Sequence, residues 1–81
     1  MIVLKDFWAT WCPPCKQMNP IIEDLMSEGY NVEKIDVDEK PEIQEKYGVM
    51  SIPTYVFEKD GKEFARVSGA MSKDKLVSWF K

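Results

Sequence analysis

An α/β fold in the order βαβαββα is predicted by three features of this 81-residue chain. The apolar run Ile2 to Phe7 leads directly into a helical pattern opened by Cys12-Pro13-Pro14-Cys15. A second strand pattern follows that helix, which completes a βαβ unit. Asp60-Gly61 then separates two strand-like runs, and an amphipathic segment closes the chain. A βαβ unit, an antiparallel hairpin and a last helix together give a four-stranded mixed sheet with helices on both faces.

The first strand, Ile2 to Phe7, is nearly continuously apolar and reads as buried. The first helix runs from Pro13 to about Glu28, with Met18, Ile21, Ile22, Leu25 and Met26 at helical spacing. Pro14 falls in its first turn, where a missing N–H costs nothing. Pro20 lies inside it and should kink it, and Gly29 ends it. Asn31 to Val37 alternates as a strand does. Pro41 to Tyr47 forms a short helix that begins at proline and stops at Gly48. Thr54 to Glu58 is a strand, Lys59 to Lys62 a hairpin turn, and Glu63 to Ser68 the return strand. Ser72 caps the last helix, on which Leu76, Trp79 and Phe80 fall at i, i+3 and i+4 as core residues. No linker or repeat interrupts the chain, so one domain over residues 1–81 is expected.

Hydrophobic residues make up 44% of the chain, enough to rule against disorder, and the net charge of −3 supplies no basic patch for nucleic acid. No apolar run is long enough to span a membrane, and no basic-then-apolar segment stands at Met1. A cytoplasmic monomer is the expectation. The carboxylates Asp36, Asp38, Glu39 and Glu42 lack the spacing of a calcium loop and read as a solvated face near a helix start.

Cys12 and Cys15 are the only cysteines, and there is no histidine. A zinc site normally needs four ligands, so a metal is not expected. A disulfide across so short a loop adds little stability, because that stabilisation grows with loop length. What the spacing does suit is redox chemistry. The sulfurs lie one helical turn apart, and the first meets the unpaired N–H groups and positive dipole end of the helix, which favour a thiolate. The pair itself then serves as the redox centre, and no separate cofactor is expected.

The motif Asp6-Phe7-Trp8-Ala9-x-Trp11-Cys12-x-Pro14-Cys15-Lys16, with Pro20, Lys34, Ile52-Pro53-Thr54 and Gly69-Ala70, resembles the thioredoxin family over nearly the whole chain. Two departures stand out. The strand and helix that precede the active-site strand in full thioredoxins are absent, leaving the minimal thioredoxin-like core that glutaredoxins share. Pro13 also replaces the usual glycine.

The resemblance implies that Cys12 is the exposed nucleophile and Cys15, deeper in the helix, the resolving thiol. Asp6, in an apolar run, is expected beneath the cysteines, with burial raising its pKa so that it serves proton transfer. Lys34 in the adjacent strand is expected to moderate that shift by pairing with it. Pro53 resembles the family's cis proline, which leaves the Ile52 backbone free to pair with an extended substrate. Trp11, Pro13, Pro14, Met50, Ile52, Gly69 and Ala70 would form a flat apolar rim around Cys12, and Trp8 would support the site from behind.

The leading functional expectation is a protein-disulfide reductase, reduced in turn by a thioredoxin-reductase-like donor or by glutathione. A glutathione-dependent, glutaredoxin-like enzyme and a disulfide oxidant or isomerase are the alternatives. A passive binding module that docks a partner through the rim has no use for a resolving thiol or a buried acid.

Overall fold

β1 (Ile2–Trp8) is the strand on which the computed structural model is assembled, and all residues 1–81 are described. It pairs in parallel with β2 (Val32–Asp36) and antiparallel with β3 (Thr54–Lys59). β3 in turn pairs antiparallel with β4 (Lys62–Ser68), so the sheet order is β2-β1-β3-β4. α1 (Pro13–Ser27) links β1 to β2, α2 (Pro41–Tyr47) links β2 to β3, and α3 (Lys73–Ser78) closes the chain. This is the mixed four-stranded sheet that the sequence predicts.

Alternation along β1 sends Leu4, Asp6 and Trp8 to one face and Val3, Lys5 and Phe7 to the other. The first face is covered by α1 and α3. There Leu4, Tyr55 and Phe57 of the sheet meet Met18, Ile22 and Leu25 of α1 and Leu76 of α3 in a continuous buried cluster. On the α2 face, Phe7, Ile35 and Val56 pack with Val37, Val49 and the half-buried Ile43 and Tyr47. This second cluster extends to Ala9, Cys12 and Cys15, so the cysteine pair rests directly on the core.

α1 continues unbroken through Pro20. Pro20 and Lys16, whose carbonyl the missing N–H would have met, both lie on the exposed side, where water can solvate the carbonyl. The hairpin is tighter than the sequence implies. β3 reaches Lys59 and β4 begins at Lys62, leaving Asp60 and Gly61 with φ of 53° and 84°. Two left-handed residues match the twist of the strands, and the second is a glycine, which takes that conformation without a Cβ penalty. The ladder shifts register between Phe57 and Glu58.

α3 is shorter than its apolar spacing suggests. It ends at Ser78, and Trp79 is already its C-terminal cap. Trp79 and Phe80 nonetheless pack on Phe57, with ring centroids 5.3 and 5.5 Å away. Part of the sheet on the α2 face is covered by polar groups. Lys5 forms an ion pair with Glu33 and lies 4.0 Å from Glu58, which also accepts the Tyr47 hydroxyl at 2.6 Å.

Candidate active site

The end of β1 sets the position of everything at this site. β1 stops at Trp8, a turn carries the chain over the sheet end, and α1 starts back antiparallel to the strand. Cys12 is the N-cap of α1, in extended conformation, and its Sγ accepts the Cys15 N–H at 3.3 Å. Sulfur therefore fills the place that a Ser or Asp oxygen occupies at an ordinary helix start. Pro13 and Pro14 occupy the next two positions and have no N–H, which leaves the Cys15 amide as the first donor available to the sulfur.

Cys12 and Cys15 form a disulfide with Cα atoms 5.2 Å apart. Both are almost fully buried, Cys12 3% and Cys15 2% exposed, so the expectation of an exposed Cys12 is corrected for this oxidised state. The cause is local. The Cys12 sulfur lies against the helix start, where it accepts the Cys15 N–H, and 3.8 Å from the Ile52 carbonyl oxygen. A disulfide sulfur has no proton to donate to that oxygen; a Cys12 thiol would.

Asp6 is buried, 2% exposed, on the sheet face that α1 covers. Burial pushes its carboxyl up to about 7, while Lys34 pulls in the opposite direction. Lys34 is the register partner of Asp6 in β2. Its ammonium lies 4.6 Å from the centre of the Trp8 ring, so it acts on Asp6 through space and not through a closed ion pair. Trp8 is half-buried against the core cluster that holds the cysteines. Two buried polar atoms of this region have no hydrogen-bond partner, Trp8 Nε1 and the Tyr55 hydroxyl.

The Ile52–Pro53 bond is cis. Pro53 is buried, and its carbonyl accepts the N–H of Gly69, which has φ of 89°, at 2.9 Å. Neither backbone group of Ile52 pairs with another backbone group. Around Cys12, Trp11 is 62% exposed and Met50 97% exposed. Pro13, Pro14 and Ala70 are also exposed, and Ile52 and Gly69 are half-buried. The chain thus brings its predicted rim residues to one end of the sheet.

Sequence reasoning misses one member of this surface. Trp11 Nε1–H donates to Asp38 Oδ2 at 2.7 Å. Asp38 is held in turn by the Asp36 carboxylate, which accepts its N–H at 2.9 Å. From sequence alone, Asp36 through Glu39 reads as a solvated acidic face. The usable signal is an Asp at the last position of a strand, where its side chain folds the next amides into a turn. No three His, Cys, Asp or Glu side chains converge on a metal position.

The family model for Thioredoxin matches residues 1–81. A thioredoxin of Chlamydia caviae is 47% identical over 78 residues, covering 94% of this chain and 76% of that protein. A thioredoxin of Listeria monocytogenes is 44% identical over 78 residues, with 93% and 76% covered. Among solved structures, a mutant thioredoxin from Halobacterium salinarum NRC-1 superposes with a TM-score of 0.90 at 39% identity, covering 96% of this chain and 70% of that one. The thioredoxin NaTrxh from Nicotiana alata gives 0.89 at 41%, with 98% and 70% covered.

Proposed function

The chain belongs to the thioredoxin family of thiol–disulfide oxidoreductases, and from that premise we propose how its own residues carry out protein-disulfide reduction. In the reduced protein the Cys12 thiolate attacks one sulfur of a substrate disulfide. A Cys12–substrate disulfide forms, and the other substrate sulfur leaves as a thiolate. Cys15 then passes its proton to the Asp6 carboxylate and attacks Cys12 Sγ. The Cys12–Cys15 disulfide closes, and the second substrate thiolate leaves and takes up a proton. Two electrons move from this chain to the substrate.

Each residue has a physical reason for its part. Cys12 Sγ sits at a helix N-terminus and takes an amide hydrogen bond, which favours its thiolate. Asp6 titrates at about 7, so at neutral pH it changes protonation at little cost in either direction. The open Ile52 backbone offers strand-type hydrogen bonds to an extended substrate segment. Trp11, Pro13, Pro14, Met50, Ile52, Pro53, Gly69 and Ala70 form the surface on which that segment lies. Lys34 tunes Asp6. A thioredoxin-reductase-type protein is the proposed electron donor, and a reducing compartment, the cytoplasm, the proposed place of work for the 81 residues as one domain.

The observation that carries this reading is the Cys12–Cys15 disulfide placed on a helix N-cap beside the unpaired Ile52 backbone. The test is trapping. With a disulfide-bonded protein substrate, Cys15→Ser should accumulate a mixed disulfide through Cys12, and Cys12→Ser should give none. Trapping through Cys15, or turnover that depends on glutathione, overturns it.

A further inference from the structure

Thr54 opens β3 and is the register partner of Ser68, the last residue of β4. Directly opposed residues of an antiparallel pair share a face, which brings the two hydroxyls within 3.4 Å. Thr54 is 3% exposed and stands opposite the buried Phe7 of β1. Its hydroxyl donates to the Ser51 carbonyl at 2.6 Å. That bond takes the one proton of the Thr54 hydroxyl, so Ser68 is the donor between the two side chains. A valine would keep the branched shape; what it lacks is the donor.

The loop ahead of β3 is held on both sides of Ile52. Ser51 gives its carbonyl to Thr54, and Pro53 gives its carbonyl to the Gly69 N–H at 2.9 Å. Ile52, between them, has neither backbone group paired with another backbone group. Ser51 is exposed, so water alone could satisfy its carbonyl. A buried hydroxyl does what water cannot: it fixes the direction of that peptide unit. The Ser51–Ile52 peptide is planar and trans, so its N–H points opposite to its carbonyl. With the carbonyl turned to Thr54, the Ile52 N–H is aimed away from β3.

We propose that Thr54 is a positioning residue for substrate docking: by holding the Ser51 carbonyl, it aims the Ile52 N–H at the extended segment that carries the disulfide. The proposal rests on the reading of the Ile52 backbone as the edge with which substrate pairs. Thr54 touches neither the substrate nor the cysteines; it acts through the loop.

The test is Thr54→Val, with Thr54→Ser as the conservative variant that keeps the donor. With a disulfide-bonded protein substrate, Thr54→Val should raise KM about two- to tenfold, the worth of one hydrogen bond, and leave kcat little changed. Thr54→Ser should restore the native KM. A small aromatic disulfide, which offers no backbone to pair with, should be reduced by both variants as by the native protein, which shows that fold and cysteines are intact. An unchanged KM in Thr54→Val, or a raised KM that Thr54→Ser does not restore, overturns the role of the hydroxyl and leaves the reductase reading standing. An equal loss toward the small and the protein disulfide also overturns it, because the variant then disturbs the cysteines and not docking. Native protein that reduces the small disulfide but no protein disulfide overturns the reductase reading, and this proposal with it.

Discussion

The indole of Trp11 is tied to Asp38: its Nε1–H donates to Oδ2 at 2.7 Å, across 27 positions of sequence. The bond holds the largest ring of the exposed rim at a fixed angle beside Cys12. In the proposed substrate surface, a Trp11 fixed in this way would present its apolar face without first losing rotamer freedom on binding.

Asp38→Ala should free that ring. One hydrogen bond is worth about 0.5–1.5 kcal/mol net, so KM for a protein disulfide should rise about two- to tenfold with kcat little changed. Asp38 is exposed, and unfolding free energy should stay within about 0.5 kcal/mol. Kinetics with a protein substrate and with a small aromatic disulfide separate the effects. An unchanged KM together with unchanged indole anisotropy removes Asp38 from substrate positioning.

Asp6 should set an alkaline decline in stability. Its folded pKa, about 7, lies above the unfolded value, so the protonated form favours folding. That contribution is complete below about pH 4 and is lost as pH rises through about 7. Asp6→Asn should match the wild type near pH 4 and exceed it above pH 7. The margin should be on the order of 4 kcal/mol, the equivalent of a midpoint moved from about 4 to about 7. The same variant should also slow the resolving step. Urea melts across this range check the sign, and equal stabilities at pH 8 would contradict it.

Pro14 should hold the redox potential low. It sits at the second helical position, from which an N–H reaches an N-cap acceptor, and it has none to give. Pro14→Ala restores that donor to Cys12 Sγ. The Cys12 thiolate should gain stability, its pKa should fall, and the potential should become more oxidising by about 20 mV for each kcal/mol gained. Equilibration in a graded dithiol buffer measures it. A shift in the reducing direction would refute the donor argument.

Phe57 should be the costliest single truncation in the α1/α3 layer. It is fully buried and in ring contact with Phe64, Trp79 and Phe80. Phe57→Ala should cost about 3–5 kcal/mol, enough to unfold a large share of a small domain. A denaturant midpoint within experimental error of the wild type would show that α3 and the last residues add nothing to that layer.

Most of the fold is legible because short-range signals agree with one another. Pro13 and Pro14 mark a helix start, Asp60-Gly61 a tight hairpin, and Pro41 and Gly48 the two ends of α2. The cysteine spacing locates the reactive end of the sheet. What is not legible depends on contacts between distant segments. Asp38 reads as one more acidic loop residue until the chain brings Trp11 to it, and Tyr55 reads as a strand aromatic until register sets it opposite Asp6. Trp79 and Phe80 follow a helical period although α3 stops before them, because packing on Phe57 holds them regardless of backbone state. The burial of Cys12 depends on how the helix start and the Ile52 loop come together, which no residue pattern encodes.

The central position of β1 also determines when the molecule can become itself. The strand that occupies the middle of the sheet is made before either neighbour, and its ladder with β3 closes only once residue 59 exists. Until β2 is made the nascent chain therefore carries an apolar segment with both edges bare, and the edge that β3 takes stays open until residue 59. Long-range closure of this kind slows assembly and lengthens the exposure. The cysteines share that history: they leave the ribosome long before the surface that will shield them, at the stage when a stray oxidant or a second nascent chain reaches them most easily.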